Sequence, residues 1–219
     1  MKLSCQDPSG QELTIQQVYA KVNPSVVAVV AEQSDGSAAV GTGVIMTESG
    51  YIITNAHVIS GGKSCWVALD TGVTYDARLV GYDEDEDLAV LRAIADNPLP
   101  AAEFGNSDLL TVGDPVYAIG NPLGLGLAIS SGIIGSTAHE LDRYALPCIV
   151  NSADISRGSS GGALMNAHGQ VIGVTSGAYT YGNNMYLAVP VDPVMAADLT
   201  VSGWTLKEVK AIEAAKDKD

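Results

Sequence analysis

Residues 158–164 read GSSGGAL, and the meaning of this short stretch decides which fold the chain adopts. Two serines lie between glycines, where almost no neighbouring side chain shields a hydroxyl group. The pattern is typical of a flexible surface turn. It is equally typical of a nucleophilic serine that a substrate backbone approaches closely, because glycine leaves room for that approach. The histidines and acids elsewhere in the chain therefore decide what the stretch means.

Ser160 satisfies the pattern G-x-S-x-G, which in α/β hydrolases forms a sharp turn between a strand and a helix. That fold requires an acid and then a histidine after the serine, within alternating strands and helices. The only histidine after Ser160 is His168, and no acidic residue lies between the two. Helical patterns between the apolar segments are also missing. The sequence therefore excludes this architecture.

Short apolar or alternating segments, separated by Gly and Asn, run through most of the chain and predict strands. Roughly six such segments lie on each side of a loop-like stretch at 95–114. The 24 glycines fit tight turns between short strands. We therefore predict an all-β protein with two six-stranded antiparallel β-barrels, spanning residues 12–104 and 105–203.

Helical periodicity is confined to the regions near the two ends of the chain. Residues 14–22 predict a short N-terminal helix or arm that ends near Pro24. A helical pattern returns at 192–199, and residues 204–219 predict a charged C-terminal helix or the stub of a linker. No apolar run is long enough to span a bilayer, and the first residues lack an apolar signal region. We therefore expect no membrane anchor in this chain.

Composition restricts the partners that the chain can bind. Eleven basic and 25 acidic residues give a net charge of −14, which repels phosphate backbones, so we expect no nucleic acid partner. The three cysteines are widely spaced and indicate neither a disulfide framework nor a metal site. For Cys65 and Cys148 the pattern favours core thiols.

Two further residues carry the chemistry that a nucleophilic serine requires. His57 follows a β-rich run in ITNAHVI, where a neutral imidazole accepts a proton near neutral pH; a lone histidine is otherwise a structural or surface residue. Residues 83–86 are interpreted as a solvated acidic loop. Asp87 differs because it adjoins the apolar LAVL segment, where a carboxylate needs a partner. A histidine N–H supplies such a partner and is oriented in return.

The serine itself needs a base and a site for negative charge. The hydroxyl of Ser160 is unreactive without an adjacent base. Gly158 allows a backbone N–H to approach a developing oxyanion without a Cβ in the way. The chain order His57, Asp87, Ser160 is the order of the chymotrypsin-type catalytic triad.

At this point five ordered motifs resemble the protease domain of the HtrA/DegP family of trypsin-like serine proteases. The resemblance covers about residues 14–200 and implies a chymotrypsin-like double barrel. It also implies hydrolysis of unfolded or misfolded polypeptides in protein quality control, no cofactor and no metal, an extracytoplasmic location, and homotrimers built partly through the N-terminal arm. The motifs are TNAHV, DLAVL, AIGNPLGLGLAISSGIIGS, GSSGGALMNAHGQVIGV and YLAVP.

The resemblance assigns roles residue by residue. His57 corresponds to the general base, Asp87 to the carboxylate that orients it, and Ser160 to the nucleophile. The backbone N–H groups of Gly158 and Ser160 correspond to the oxyanion hole, with Ser159 as a further donor. The segment Thr175, Ser176 and Gly177 is expected to pair main chain to main chain with an extended substrate.

Asp154 departs from the family pattern, which has a small apolar residue six positions before the nucleophile. Trypsin carries its specificity carboxylate at this spacing, so we hypothesise that Asp154, with Ile155 beside it, lets the pocket accept Lys or Arg. Met185 and Leu187 are predicted on the opposite wall, where their bulk would make the pocket shallow.

Other functions remain open from the sequence. Family members usually carry a PDZ domain after the protease, and we expect none after residue 203. One alternative is a catalytically silent, protease-like chaperone or binding domain. Another is a processing protease of narrow specificity on the same fold.

Overall fold

The first half of the chain forms six strands of the computed structural model, which describes residues 4–121, 126–142, 144–178, 184–192 and 195. They are β1 (Val26–Gln33), β2 (Ala38–Ile45), β3 (Tyr51–Thr54), β4 (Gly62–Leu69), β5 (Thr74–Asp83) and β6 (Leu88–Ala93). These strands close into one antiparallel barrel in the order β1-β2-β3-β6-β5-β4.

The second half repeats this arrangement without repeating the sequence. Its strands are β7 (Pro115–Gly120), β8 (Ala128–His139), β9 (Cys148–Asn151), β10 (Ala163–Asn166), β11 (Val171–Ala178) and β12 (Tyr186–Pro190). They close in the order β10-β11-β12-β9-β8-β7. The predicted pair of six-stranded antiparallel barrels is therefore confirmed. The strands fall within the predicted ranges 12–104 and 105–203, whose boundaries stay a prediction, and the predicted tail at 204–219 lies outside the described residues.

Each barrel has its own core, and a third core is shared between the two barrels. Ile52 and Leu91 belong to a cluster made only of first-barrel residues. Their neighbours Ile53 and Val90 point to the opposite face and pack in the shared core. Because successive side chains of a strand alternate between faces, two buried faces produce continuous apolar segments such as YIIT and LAVL. The second barrel contributes to the shared core Ile119, Val150, Ala163 and Met165, among others.

The N-terminal arm and helix fasten onto the second barrel. Helix α1 (Ile15–Val22) begins with a capping box, in which Thr14 and Gln17 satisfy each other's backbone N–H groups. Its apolar face is buried in the shared core. Before the helix, the amide of Gln6 donates to the Phe104 carbonyl at 2.8 Å. The helix predicted at 14–22 is thus present.

The cysteines behave as the sequence predicted. Cys65 is 5% exposed and Cys148 is 0% exposed, which confirms both as core residues. Burial raises the pKa of the Cys65 thiol to about 12, so this group is protonated at neutral pH. Within the described residues, no helix has the length and apolar character needed to cross a membrane.

Replacing Ile53 by alanine tests the shared core. The side chain is fully buried, so Ile53→Ala should lower the free energy of unfolding by about 2–5 kcal/mol. Urea denaturation measures this loss. The control is Ile94→Ala, whose side chain is 53% exposed and whose effect should stay within about 0.5 kcal/mol. Equal losses for the two variants would contradict the position given to Ile53.

Candidate active site

Two paired strands of the first barrel bring His57 and Asp87 together. Strand β3 pairs antiparallel with β6, and Thr54 at the end of β3 lies opposite Ala89 near the start of β6. His57 lies just after β3 on the short helix α2 (Ala56–Ile59), and Asp87 lies just before β6. In an antiparallel pair, the end of one strand lies beside the start of the other. The two side chains therefore meet although they are 30 residues apart.

The hydrogen bonds between these residues fix the orientation of the imidazole. His57 Nδ1 lies 2.9 Å from each oxygen of the Asp87 carboxylate, and the His57 backbone N–H donates to Oδ1 at 3.1 Å. An ionised carboxylate only accepts, so Nδ1 carries a proton and Nε2 of the neutral ring is an acceptor. The His57 side chain is 50% exposed and that of Asp87 is 13% exposed. The imidazole is thus open to solvent, while the carboxylate is covered.

The surroundings of Asp87 keep it ionised. Burial by itself raises the pKa of this carboxyl group, but hydrogen bonds from His57 and Ser176, together with attraction to His57, outweigh the effect of burial. The pKa of Asp87 therefore lies below its ordinary value. A carboxylate at neutral pH is the state that orients and stabilises an imidazolium.

The backbone at Asp87 adopts a conformation that other contacts must hold. Its φ is +52°, in the left-handed region that non-glycine residues rarely adopt. The side-chain amide of Asn55 donates to the Asp87 carbonyl at 2.8 Å. Residues 83–85 are exposed and Glu86 is half-buried, as expected for a solvated loop. The acid loop (residues 83–87) thus turns only its last side chain into the site.

A β-bulge in the second barrel connects Asp87 to the serine. The register between β11 and β12 shifts between Thr175 and Gly177, and a bulge of this kind re-aims a side chain. The hydroxyl of the intervening Ser176 donates to Asp87 Oδ2 at 2.6 Å. The backbone carbonyl of Ser176 accepts a hydrogen bond from Ser160 Oγ at 3.0 Å. One residue therefore contacts both the acid and the serine of the predicted triad.

Ser160 lies near the short helix that carries His57. A Cβ added at Gly41 would lie 2.6 Å from Val58, the neighbour of His57, and 3.0 Å from the Ser160 carbonyl oxygen. This places the serine close to the α2 helix. Within the described part of the chain, no hydrogen bond joins Ser160 Oγ to the imidazole, because the hydroxyl donates to Ser176 instead.

Thr42 of the first barrel clamps the turn that carries the serine. Its hydroxyl donates to the Gly158 carbonyl at 2.8 Å and accepts from the Asn121 amide at 2.9 Å. Its backbone N–H donates to the Ser160 carbonyl at 2.8 Å, and its own carbonyl accepts from Thr54 Oγ1 at 2.7 Å. Thr42 is fully buried. It therefore fixes the nucleophile turn (residues 156–162) between the barrels.

Glycine is required where the turn passes closest to the first barrel. Gly161 has φ +87°, and a Cβ there would lie 2.0 Å from the Thr42 carbonyl oxygen. From the other side, the Gly161 amide donates to the Thr175 carbonyl at 2.7 Å, and Thr175 Oγ1 donates to the Ser159 carbonyl at 2.7 Å. The glycines of GSSGG therefore reflect close packing rather than a flexible surface turn.

Two of the three amides predicted to form an oxyanion hole donate to no described group. Among the hydrogen bonds of the described residues, none uses the N–H of Gly158 or Ser160 as a donor. The amide of Ser159 donates to the Ser156 carbonyl at 2.9 Å. Of the three predicted donors, Gly158 and Ser160 thus have no acceptor in the described part of the chain, whereas Ser159 donates within the turn.

The predicted substrate-binding segment lies at a strand edge. The pairing of β11 with β10 extends from Val171 to Val174, where Ala163 is its partner. Beyond this point β11 continues through Ser176 and Gly177 to Ala178, paired with β12. On the side opposite β12, no described strand pairs with that part of the backbone.

Asp154 lies at the surface near the nucleophile turn and meets a tyrosine. The residue is exposed, and Ser130 Oγ donates to its carbonyl oxygen at 2.6 Å. The hydrogen bond to the Asp154 carboxylate raises the pKa of Tyr186 above its ordinary value. Ile155, half-buried, packs against the core of the second barrel.

Met185 and Leu187, predicted on the wall of the pocket opposite Asp154, pack against the shared core. Leu187 is 2% exposed and packs in the shared core, and Met185 is half-buried against the same core. The intervening residue Tyr186 points to the other face of β12, where its hydroxyl reaches Asp154. The residue beside the Asp154 carboxylate is therefore Tyr186, and not Met185 or Leu187.

Comparisons with known proteins agree with this geometry. A family model described as trypsin-like peptidase domain matches residues 41–174. A probable periplasmic serine endoprotease, DegP-like, from Halomonas elongata is 41% identical over 166 residues, which are 74% of this chain and 35% of the relative. The putative serine protease HhoA from Synechocystis is 37% identical over 168 residues, which are 74% of this chain and 43% of the relative.

A solved structure shows the same fold. The HtrA-type protease AlgW with a tripeptide aligns with a TM-score of 0.76 at 33% identity, covering 83% of this chain and 61% of that chain. This chain spans well under half the length of the two curated relatives.

Fold, site and family model together define a class of protein: the chain belongs to the family of trypsin-like peptidase domains. Within that class, its relatives and its structural neighbour are DegP and HtrA proteases. The resemblance inferred from the sequence motifs is thereby confirmed.

Two residues of the site were not identified from the sequence. Thr42 and Tyr186 form hydrogen bonds through a hydroxyl group at positions where the sequence pattern indicates only a strand. Asn121 and Thr42 belong to Gly-rich segments on different barrels, and nothing in their local pattern indicates that they meet. The described residues contain no cluster of three or more His, Cys, Asp or Glu suited to a metal ion.

Replacing Thr42 by valine should destabilise the protein more than replacing it by serine. Valine keeps the volume but leaves the Gly158 carbonyl and the Asn121 amide without their partner, at a cost of about 1–3 kcal/mol. Serine keeps the hydroxyl and loses one methyl group, about 0.8 kcal/mol. Urea denaturation of the two variants gives the order of stabilities. A valine variant more stable than the serine variant would show that the clamp is not formed.

Proposed function

We propose that this chain is the proteolytic domain of a serine endopeptidase that cleaves unfolded or misfolded polypeptides. The observation that carries the proposal is the connection made by Ser176, which bonds Asp87 through its hydroxyl and Ser160 through its carbonyl. Together with the His57–Asp87 pair, this connection gathers a base, an acid and an alcohol at one cleft. Membership of the trypsin-like peptidase family supports the same assignment.

The catalytic cycle needs one rearrangement of the resting site. Ser160 Oγ leaves the Ser176 carbonyl and donates to Nε2 of His57, which is the free acceptor because Asp87 holds the proton on Nδ1. The serine oxygen then attacks a peptide carbonyl while His57 takes the serine proton. His57 next gives that proton to the leaving amine, and a water molecule hydrolyses the acyl-enzyme by the reverse route.

The nucleophile turn supplies the groups that bind the developing negative charge. The amides of Gly158 and Ser160 are the proposed oxyanion hole, supported by their lack of other partners among the described residues. In proteases, removal of one such donor costs about 2.7–4 kcal/mol of transition-state stabilisation. The Thr42 clamp holds the carbonyl of Gly158 and so helps to orient the turn before substrate arrives.

The substrate is recognised largely through its main chain. We infer that an extended peptide adds as a strand along Ser176 and Gly177, since no described strand pairs with that side of β11. Thr175, the third residue of the predicted segment, already bonds the nucleophile turn through its amide and its carbonyl. Backbone pairing requires a segment without structure of its own, which is a property of unfolded polypeptides. The net charge of −14 disfavours nucleic acid as a partner. The proposed reaction uses protein groups alone, without cofactor or metal.

Location and assembly follow from the relatives. The Halomonas elongata relative is named periplasmic, which supports an extracytoplasmic location for this chain. We further propose a homotrimer formed partly through the N-terminal arm, supported by the family resemblance. In the structure the arm binds its own chain, with Gln6 bonded to Phe104.

The resting bond of Ser160 favours one alternative function. A serine that donates to Ser176 rather than to His57 is the arrangement expected of a silent, protease-like chaperone or binding domain. A processing protease of narrow specificity remains the other alternative, and the range of peptides cleaved distinguishes it from a quality-control protease.

A fluorophosphonate probe separates an active enzyme from a silent domain. The probe should label the wild-type protein at Ser160, because covalent attack requires the activated hydroxyl. Labelling and degradation of unfolded casein should both fall more than about a thousandfold in Ser160→Ala. The matched control is Ser159→Ala, one residue away, which should still be labelled. A wild-type protein that the probe does not label would support the silent domain.

We propose that Asp154 favours a basic residue before the cleaved bond. Support comes from its exposed position beside the nucleophile turn and from its spacing to Ser160. The carboxylate is hydrogen-bonded to Tyr186, a neutral donor at neutral pH, and among the described residues no ion pair involves Asp154. A Lys or Arg side chain supplies the missing positive charge.

A peptide library tests this specificity. Wild-type enzyme should enrich Lys and Arg immediately before the scissile bond, and Asp154→Ala should lose that enrichment while it keeps activity on peptides with small aliphatic residues. Asp96→Ala is the control, because it removes an exposed carboxylate from the loop after the first barrel. A wild-type profile without basic residues before the cleaved bond would refute the role of Asp154.

A further inference from the structure

A buried tyrosine extends the hydrogen-bond chain behind the acid. Tyr144 OH lies 2.7 Å from Ser176 Oγ, and Ser176 Oγ lies 2.6 Å from Asp87 Oδ2. Tyr144 is 9% exposed and packs in the shared core. It contacts neither His57 nor Ser160 through any of these bonds, so its hydroxyl acts on the site through Ser176.

The direction of this chain follows from the chemistry of its last member. The Asp87 carboxylate is ionised and only accepts, so Ser176 uses its single hydroxyl proton in the bond to Asp87. Between Ser176 and Tyr144, the donor must then be Tyr144. The chain therefore runs from Tyr144 to Ser176 to Asp87, with His57 donating to the same carboxylate from the opposite side. Each donation polarises the next hydroxyl and strengthens the bond that follows.

The segment around Tyr144 also touches the acid loop directly. The amide of Ala145 donates to the Asp85 carbonyl at 2.7 Å, and the amide of Tyr144 donates to the Leu141 carbonyl at 3.0 Å. The second half of the chain thus contacts the acid loop at two points. One is the side-chain bond from Ser176 to Asp87, and the other is the backbone bond from Ala145 to Asp85.

We propose that Tyr144 is a positioning residue that fixes the catalytic carboxylate of Asp87 through Ser176. This inference rests on the proposed peptidase function and adds a residue to its machinery. Without the tyrosine hydroxyl, Ser176 Oγ loses the donor that holds its rotamer, and its bond to Asp87 becomes one of several alternatives. Asp87 then loses a fixed partner on the side away from His57, and the imidazole is oriented less strictly.

The substitution Tyr144→Phe removes the hydroxyl and keeps the ring that packs in the shared core. We expect kcat for a peptide substrate to fall about 5- to 20-fold, as for the loss of one bond in a buried network, with KM nearly unchanged. In a Ser176→Ala background, which lacks the connecting hydroxyl, Tyr144→Phe should change kcat less than about twofold. Additive effects of the two substitutions, or an unchanged kcat in Tyr144→Phe, would overturn the inference.

A matched control separates this role from a general effect of losing a tyrosine hydroxyl. Tyr117 on β7 is half-buried against the same shared core, and Tyr117→Phe should leave kcat within about twofold of the wild-type value. A comparable loss in Tyr117→Phe would show that the effect is not specific to the bond between Tyr144 and Ser176, and would overturn the inference.

A spectroscopic measurement distinguishes failure of this inference from failure of the proposed function. The downfield proton resonance of the His57 Nδ1–H group reports the bond to Asp87 whether or not the protein hydrolyses peptides. It should shift or broaden in Tyr144→Phe and stay unchanged in Tyr117→Phe. A wild-type protein without hydrolysis would refute the peptidase, while the resonance still decides the role of Tyr144: no change in Tyr144→Phe overturns it.

Discussion

The carboxylate of Asp87 receives hydrogen bonds from both barrels, and the geometry of the site depends on them. The first barrel provides His57, through its ring and its backbone N–H. The second barrel provides the hydroxyl of Ser176. A carboxylate that is only 13% exposed requires such donors, since burial alone opposes its ionisation. The donors lie on different barrels, so the carboxylate keeps these hydrogen bonds only while the barrels are correctly packed. Correct packing of the two barrels and the geometry of the site are thereby coupled.

Thr42 extends this coupling to the serine. It lies in a strand of the first barrel, yet its hydroxyl and its amide bind the turn of the second barrel that carries Ser160. The shared core fixes the distance between the barrels, and the buried bonds of Thr42 fix the orientation of the turn within that distance. Because an unpaired buried carbonyl is costly, small displacements of the barrels are opposed at the atoms nearest the nucleophile.

Much of the fold and part of the site could be predicted from the sequence for physical reasons. Strand alternation and turn residues indicate barrels, and the order of His57, Asp87 and Ser160 distinguishes this fold from one in which the serine comes first. The resting bond of Ser160 to the Ser176 carbonyl depends on a bulge, which arises from strand pairing and leaves no local pattern. The role of Tyr144 likewise depends on a loop docking against another barrel. A residue whose role depends on one hydroxyl group in such a long-range contact cannot be predicted from the sequence, because the contact leaves no local pattern.

The free energy of the hydrogen bond from Ser160 to the Ser176 carbonyl determines how much this bond would slow the proposed reaction. Ser160 exchanges one neutral hydrogen bond, to Ser176, for another, to His57, and each is worth about 0.5–1.5 kcal/mol net. Even the complete loss of the resting bond would slow the reaction by little more than tenfold. Correctly placed oxyanion donors contribute about 2.7–4 kcal/mol each, and the two amides proposed for this role donate to no other described group. The resting orientation is therefore a small barrier beside the stabilisation that the turn provides, and it is compatible with an enzyme whose serine turns toward the base when a substrate enters.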